Sequence, residues 1–278
     1  MRMKGVRSLR EMTRVLNTDQ RFRKLCLIRA GEAAYPRSVL SRFIRKVGED
    51  NLTKIIEEKV VKLLKQNDAK DIDTVFDASF IKAWSTRDPL DNQKGYSDME
   101  ARVGRTGKTF GLGYKLHLSI DSQTMLPLTC TLASANQNEK KHSLNMLEKT
   151  RLTLKKSGAK LRSVIADSQY TDGKLRKAVD EAVIPYTANQ KRGVKGVLRV
   201  DKKFRVHSPE RLKHLFRLRS SVERVNSRLA ALLGKITFKC LKAAAAQVSY
   251  AVLSMLFIAW TAIKTGKPEK ARSITYYV

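Results

Sequence analysis

A chain of 278 residues, 42% of them hydrophobic, is long enough to bury a substantial core, which excludes a disordered basic tail. Its 56 Lys and Arg against 26 Asp and Glu leave a formal charge of +30, an excess that asks for a polyanionic partner, nucleic acid first and an anionic membrane second. Cys26, Cys130 and Cys240 stand singly with no Cys-x-x-Cys pattern, which excludes a disulfide framework or a cysteine zinc site and points to an intracellular, cytoplasmic protein.

The first 70 residues read as short helices over 8–16, 19–29, 38–47 and 51–66, broken by Gly31, Tyr35-Pro36 and Gly48. Residues 1–70 are therefore expected to form a small all-helical region whose many Arg and Lys suit DNA, with a structural bundle carrying a solvated basic face as the plainer alternative. Residues 74–82, rich in β-branched and aromatic side chains, read as a strand carrying Asp77. The polar stretch 85–108, with Gly95, Gly104 and Gly107, is long enough to be a functional loop. Phe110, Leu112, Tyr114, Leu116, Leu118 and Ile120 then fill every even position, the period of a strand, and 121–124 turns the chain into a second strand over 125–133.

A helix over 138–156, a strand over 161–166 ending at Asp167, a helix over 171–181 and a short strand over 183–187 complete a mixed α/β order. His117, His142, His207 and His214 lack metal-ligand spacing and read as ordinary surface or strand histidines. Eleven Lys and Arg between 191 and 219 face only Asp201 and Glu210, a local net charge of +9. Within this run Lys191, Arg192, Lys195, Arg199, Lys202, Lys203 and Arg205 are the expected contacts to DNA phosphates.

Ser208 as N-cap and Pro209 at the first helical position start a helix running to 229 and beyond. Leu215, Val222, Leu229 and Leu218, Val225, Leu232 form its apolar face, while Phe216, Arg219 and Glu223 share a neighbouring stripe. Residues 243–263 carry no charge and are long enough to span a membrane, but Lys242 and Lys264 flank them and Gln247 and Ser249 interrupt them. They read as a buried helix ending a larger mixed α/β domain over 71–268, with a tail over 269–278 and no membrane partner.

An ionised Asp on or just past a buried strand is costly unless something pairs with it. Taken singly, Asp77 and Asp167 are more simply explained as turn caps or partners of a nearby Arg; Glu223 on a basic helix changes that balance. Three carboxylates, 90 and then 56 residues apart, can hold divalent metal against a phosphate backbone. Mg²⁺ is hard, keeps several waters and is held by few carboxylates, with a phosphate completing its shell. Two such ions about 3.5–4 Å apart can activate an attacking oxygen, stabilise a leaving oxygen and neutralise charge.

Over about 8–264 the chain resembles the DDE transposases of bacterial and archaeal insertion sequences, in the group whose catalytic core is like ribonuclease H. Asp77-Ala78-Ser79-Phe80 resembles the first motif, and Ala166-Asp167-Ser168-Gln169-Tyr170-Thr171-Asp172 the second. Phe216, Arg219 and Glu223 fill three places of a helix signature that runs aromatic, Arg, Glu, Lys. The chain departs from the pattern at Phe216, where Tyr is usual, at Ala230, the place of the Lys, and at Gln169, where a small residue is common.

The resemblance implies a ribonuclease H-like mixed sheet flanked by helices, with a small N-terminal helical domain that lacks a first helix. It implies that Asp77, Asp167 and Glu223 are catalytic ligands of two Mg²⁺ or Mn²⁺ ions, converging at one sheet edge, and that Arg219 orients Glu223 or a phosphate. The partners implied are double-stranded DNA, both terminal inverted repeats and target, and a second copy of the chain on that DNA, placing the protein at the nucleoid. A related nuclease that cuts without joining, and a DNA-binding remnant without catalysis, share the same residues.

Overall fold

The computed structural model describes residues 6, 8–86, 95–107, 109–186 and 210–276. Helices α1 (Leu9–Thr18), α2 (Gln20–Leu25) and α3 (Arg37–Gln66) lead into β1 (Asp71–Lys82), β2 (Arg102–Thr106), β3 (Thr109–Asp121) and β4 (Pro127–Ser134). Then come α4 (Lys140–Ser157), β5 (Lys160–Ala166), a 3-10 turn (Ser168–Tyr170), α5 (Gly173–Ala178) and β6 (Glu181–Val183). The last elements are α6 (Glu210–Arg217), α7 (Ser220–Leu233), α8 (Leu241–Lys264) and a second 3-10 turn (Pro268–Lys270).

The even-numbered apolar residues of β3 need cover on one face, and the sheet supplies neighbours on both edges. β3 pairs antiparallel with β1, while β2 and then β4 share its other edge, β2 against 109–113 and β4 against 114–120. β1 in turn pairs with β5 in parallel, and β5 with β6 in parallel, giving the order β2-β3-β1-β5-β6. This is the expected mixed sheet flanked by helices.

Side chains along β1 and β5 divide between the two faces by the strand period of two. Val75 and Ile165 enter the larger core, shared with Leu52, Ile56, Val60 and Leu63 of α3, Val222 and Val225 of α7, and most of α8. Phe76, Val164 and Ala166 enter a smaller core with Met146 and Leu147 of α4 and Leu175 of α5. Helix α8 is long and apolar enough to cross a bilayer, yet 67% of its most apolar window is buried in protein, as in a core helix apolar on all sides. Leu16, Ile28 and Ala34 form a separate small core between α1, α2 and the start of α3.

The short strand expected over 183–187 lies earlier, at Glu181–Val183, and three further elements differ from the sequence expectation. The helices expected over 38–47 and 51–66 join into α3 across a kink at Gly48, whose φ of 67° and ψ of 173° lie outside the helical range and favour glycine. The polar stretch expected as a loop contains β2, which has one apolar residue and is held by pairing rather than by its own pattern. The helix expected to run unbroken from 209 is interrupted at Leu218 and Arg219, where the chain makes i to i+3 hydrogen bonds instead of helical ones.

Close approach fixes Gly113 in β3: a Cβ there would lie 2.2 Å from the Ile81 carbonyl oxygen and 2.7 Å from the Phe80 ring. Gly113→Ala is expected to lower the stability by on the order of 1–3 kcal/mol, read as a lower urea midpoint. Gly173→Ala, where nothing lies within 4 Å, is the control and should leave the midpoint in place.

Candidate active site

Strand β1 carries a buried aspartate and a half-buried one that meet opposite fates. Asp73 is satisfied: Arg162 Nε donates to it at 2.8 Å and Ser163 Oγ at 2.7 Å, so a neighbouring strand neutralises its charge. Asp77, four residues on, has thinner support. Asn226 Nδ2 donates to Oδ2 at 2.9 Å, and Arg219 Nη1 approaches Oδ1 only to 4.0 Å. Burial, opposed by Arg219 and reinforced by the neighbouring Asp167, pushes its carboxyl up to about 6.

The parallel register sets Phe76 opposite Ala166, so Asp77 and Asp167 are the next residues along adjacent strands. Asp167 leaves β5 as the N-cap of the 3-10 turn and accepts the Gln169 backbone N–H at 2.9 Å. Burial raises its pKa, the Gln169 N–H and Arg219 lower it, and Glu139 raises it again.

Burial of Val222, Val225 and Leu229 orients α7 against the sheet. Arg219 at the helix start, Glu223 and Asn226 follow at helical spacing and face the β1 end of the site. Arg219 Nη2 lies 3.4 Å from Glu223, so the guanidinium stands between Asp77 and Glu223. Glu223 itself is 63% exposed. Among the described residues, no three His, Cys, Asp or Glu side chains stand close enough together to hold one ion.

Asn226 is the site residue that the sequence reading did not single out. Its signal was available: it lies seven residues after Arg219 and three after Glu223, on the same side of the helix. Its Oδ1 is buried without a hydrogen-bond partner. The oxygens present fit a hard divalent cation: two aspartates on adjacent strands, an unpartnered amide oxygen, and a carboxylate that already attracts the chain's own guanidinium.

Around this set, Phe216 packs at the edge of the larger core and Ala230 is exposed. Arg228 does not fill the place of the missing Lys: it is partly buried and its Nη2 donates to the Met125 carbonyl at 3.3 Å. His117 is a strand histidine, fully buried on β3, stacked on His142 at 4.2 Å, with Nδ1 3.4 Å from the Tyr170 hydroxyl. Burial pushes it down to about 3, so it is neutral and no ordinary surface titrator. Lys191, Arg192, Lys195, Arg199, Lys202, Lys203 and Arg205 lie outside the described residues.

Residues 68–259 match the model of a family described as the transposase DDE domain. No curated protein matches the chain. Among solved structures, the chain is similar to a piggyBac transposase in a synaptic complex with hairpin DNA, at 10% identity and a TM-score of 0.44, covering 74% of this chain and 52% of that one. The chain thus spans about half the length of that transposase.

The Asp77 carboxyl predicts a pH-dependent stability. Its folded pKa of about 6 lies above the ordinary 3.8, so the folded state binds this proton more tightly than the unfolded chain. That contribution is fully present below 3.8 and is lost as the pH rises through 6. In metal-free buffer Asp77→Asn should therefore be more stable than the parent by ~3 kcal/mol at pH 7.5, with most of the difference gone near pH 4. Thermal unfolding across that range checks it, and equal melting temperatures at pH 7.5 would refute it.

Proposed function

The chain belongs to the transposase DDE domain family, and on that footing we propose that it cleaves the ends of a mobile DNA element and joins them to target DNA by metal-dependent phosphoryl transfer. Members of the family work with divalent metal ions. Here the reading is two Mg²⁺, or Mn²⁺, held by Asp77 and Asp167 with Glu223. When bound, such ions activate the attacking oxygen and neutralise charge on the phosphoryl group.

The observation that carries the reading is the parallel register that sets Asp77 beside Asp167 with so little of their charge compensated by the chain. Arg219 lies within reach of both Asp77 and Glu223 and is the cation that orients Glu223 or a DNA phosphate. In the first step water attacks the phosphodiester at the element end, a new P–O bond forms and the P–O3′ bond breaks, which frees a 3′ hydroxyl. That hydroxyl then attacks a target phosphodiester in line, displacing a 3′ oxygen and joining the strands.

The DNA partners in this reading are the element's terminal inverted repeats and the target duplex, bound by a homodimer at the nucleoid. Residues 1–70 and the basic run from Lys191 to Arg205 carry phosphate contacts, since the charge of the run sits next to the helix bearing Glu223 in the chain. A second reading, a DNA-binding remnant, draws support from Ala230, which stands in the place of the Lys while the neighbouring Arg228 is tied to the Met125 carbonyl.

Asp77→Asn, Asp167→Asn and Glu223→Gln should each reduce Mg²⁺-dependent cleavage of a terminal-repeat duplex to background while leaving most of the DNA affinity. Amides keep the size of the side chain and lose the charge that holds the ions. A carboxylate variant that cleaves at the full rate is not a ligand. If the parent itself does not cleave, Ala230→Lys together with Phe216→Tyr should restore activity, and failure of that variant too would favour the remnant.

Neutralising Lys191, Arg192 and Lys195 together should weaken binding to any sequence. The log–log salt slope should flatten by about one unit per lost contact. An unchanged slope would make the run a solvated face.

A further inference from the structure

The turn that carries Asp167 is braced from the opposite side of the site by groups that the proposed chemistry does not use. Glu139, the residue before α4, is buried, and its Oε1 lies 2.7 Å from Lys115 Nζ on β3. The same ammonium donates to the Gln137 carbonyl at 3.2 Å. With its amide oriented to donate, the Gln169 side chain stands 3.0 and 3.2 Å from the two Glu139 oxygens. The Gln169 backbone N–H meanwhile donates to Asp167 Oδ1 at 2.9 Å. One residue therefore links the Asp167 carboxylate, through its backbone, to a buried ion pair, through its side chain.

The chemistry of this link is positional. Lys115 and Glu139 are 14% and 10% exposed and form an ion pair that is largely withdrawn from solvent. What it supplies is a rigid acceptor anchored on β3 and at the start of α4, and a charge-assisted hydrogen bond to an amide is stronger and more directional than one between neutral groups. Tyr170, the next residue, is fully buried with its hydroxyl 3.4 Å from His117 Nδ1, so both residues after Ser168 are tied to the β3 side of the site. Gln169 is also where this chain departs from the small residue common in the family it resembles.

We propose that the Lys115–Glu139–Gln169 bridge is a positioning device for the second carboxylate, holding the 168–170 turn so that Asp167 presents its oxygens beside Asp77 for a divalent cation. The proposal rests on the reading of Asp77 and Asp167 as metal ligands. Glu139 and Gln169 act through Asp167 and touch neither cation nor DNA.

The test is Mn²⁺ binding to the full-length protein without DNA, followed by electron paramagnetic resonance, for the parent, Asp77→Asn, Gln169→Ala, Glu139→Gln and the Gln169→Ala/Glu139→Gln double variant. Gln169→Ala and Glu139→Gln should each weaken Mn²⁺ binding roughly ten-fold, the scale for losing an outer partner of a metal ligand. The double variant should be no weaker than the worse single one, because both break the same link. Amide hydrogen exchange over 167–171, measured without metal, should speed up in each variant. In cleavage assays the Mn²⁺ concentration for half-maximal rate should rise while the rate at saturating Mn²⁺ stays close to that of the parent.

Unchanged Mn²⁺ binding in Gln169→Ala, or additive losses in the double variant, would overturn the bridge as a positioning device. A melting temperature that collapses in Glu139→Gln while Gln169→Ala binds Mn²⁺ like the parent would leave the ion pair a purely structural one, and would overturn it equally. The Asp77→Asn arm separates this from the wider reading: if the parent binds no Mn²⁺, or Asp77→Asn binds it as well as the parent, it is the metal-site reading that fails.

Discussion

Two carboxylates withdrawn from water on neighbouring strands repel each other, and the rest of the molecule is arranged to hold them there. The register of β1 against β5 leaves no choice: once Phe76 faces Ala166, the next residue on each strand is an aspartate. Burial removes the solvent that would otherwise screen the pair. The sheet is the element stiff enough to enforce such a placement, because both strands are locked by ladder hydrogen bonds and by side chains in two separate cores. β1 is also central, with β3 on its other edge, so it cannot slide to relieve the repulsion without breaking two ladders.

The helical layer supplies the countercharge with less rigidity. The apolar face of α7, with Val222, Val225, Leu229 and Leu232 buried, sets its rotation, and that rotation aims Arg219 and Asn226 at Asp77. Arg219 sits at the start of the helix, where the macrodipole disfavours a cation by about 0.3–1 kcal/mol. Attraction to two carboxylates offsets this, so the guanidinium is held by the site and opposed by its own helix. Arg162, by contrast, is tied to the buried Asp73 by hydrogen bonds that bridge two strands.

Much of this was legible in the sequence because it rests on periodicity. The even-numbered apolar run of β3, the β-branched run around Asp77 and the apolar face of the 209–232 region carry their own signals, and each became a strand or helix face, buried at Tyr114, Leu116, Leu118 and Ile120, at Val75 and Phe76, and at Val222, Val225, Leu229 and Leu232, while Phe110 stays exposed. β2 was not legible: Arg102-Val103-Gly104-Arg105-Thr106 has a single apolar residue, and its strand exists because β3 offers an edge and Gly104 lets Ala135 approach. The break before α7 carried no Gly or Pro to announce it. The Lys115–Glu139 pair was equally silent, since its partners come from a strand and a helix start 24 residues apart and only the fold brings them together.

Helix α8 has a consequence for how the protein is made. It is the last long element in the chain, yet it closes the larger core, packing on the second half of α3 and on β4. During synthesis those partners leave the ribosome first, and at 5–20 residues per second about 200 residues, or roughly 10–40 s, separate the end of α3 from the end of α8. Through that interval Leu52, Ile56, Val60 and Leu63 lack the part of their cover that α8 supplies, and a nascent chain with such a surface is open to chaperones and to its own kind. The larger core is thus complete only once residue 264 has been made: a message cut short before residue 241 yields a chain that still has both aspartate-bearing strands but lacks the helix that buries their core.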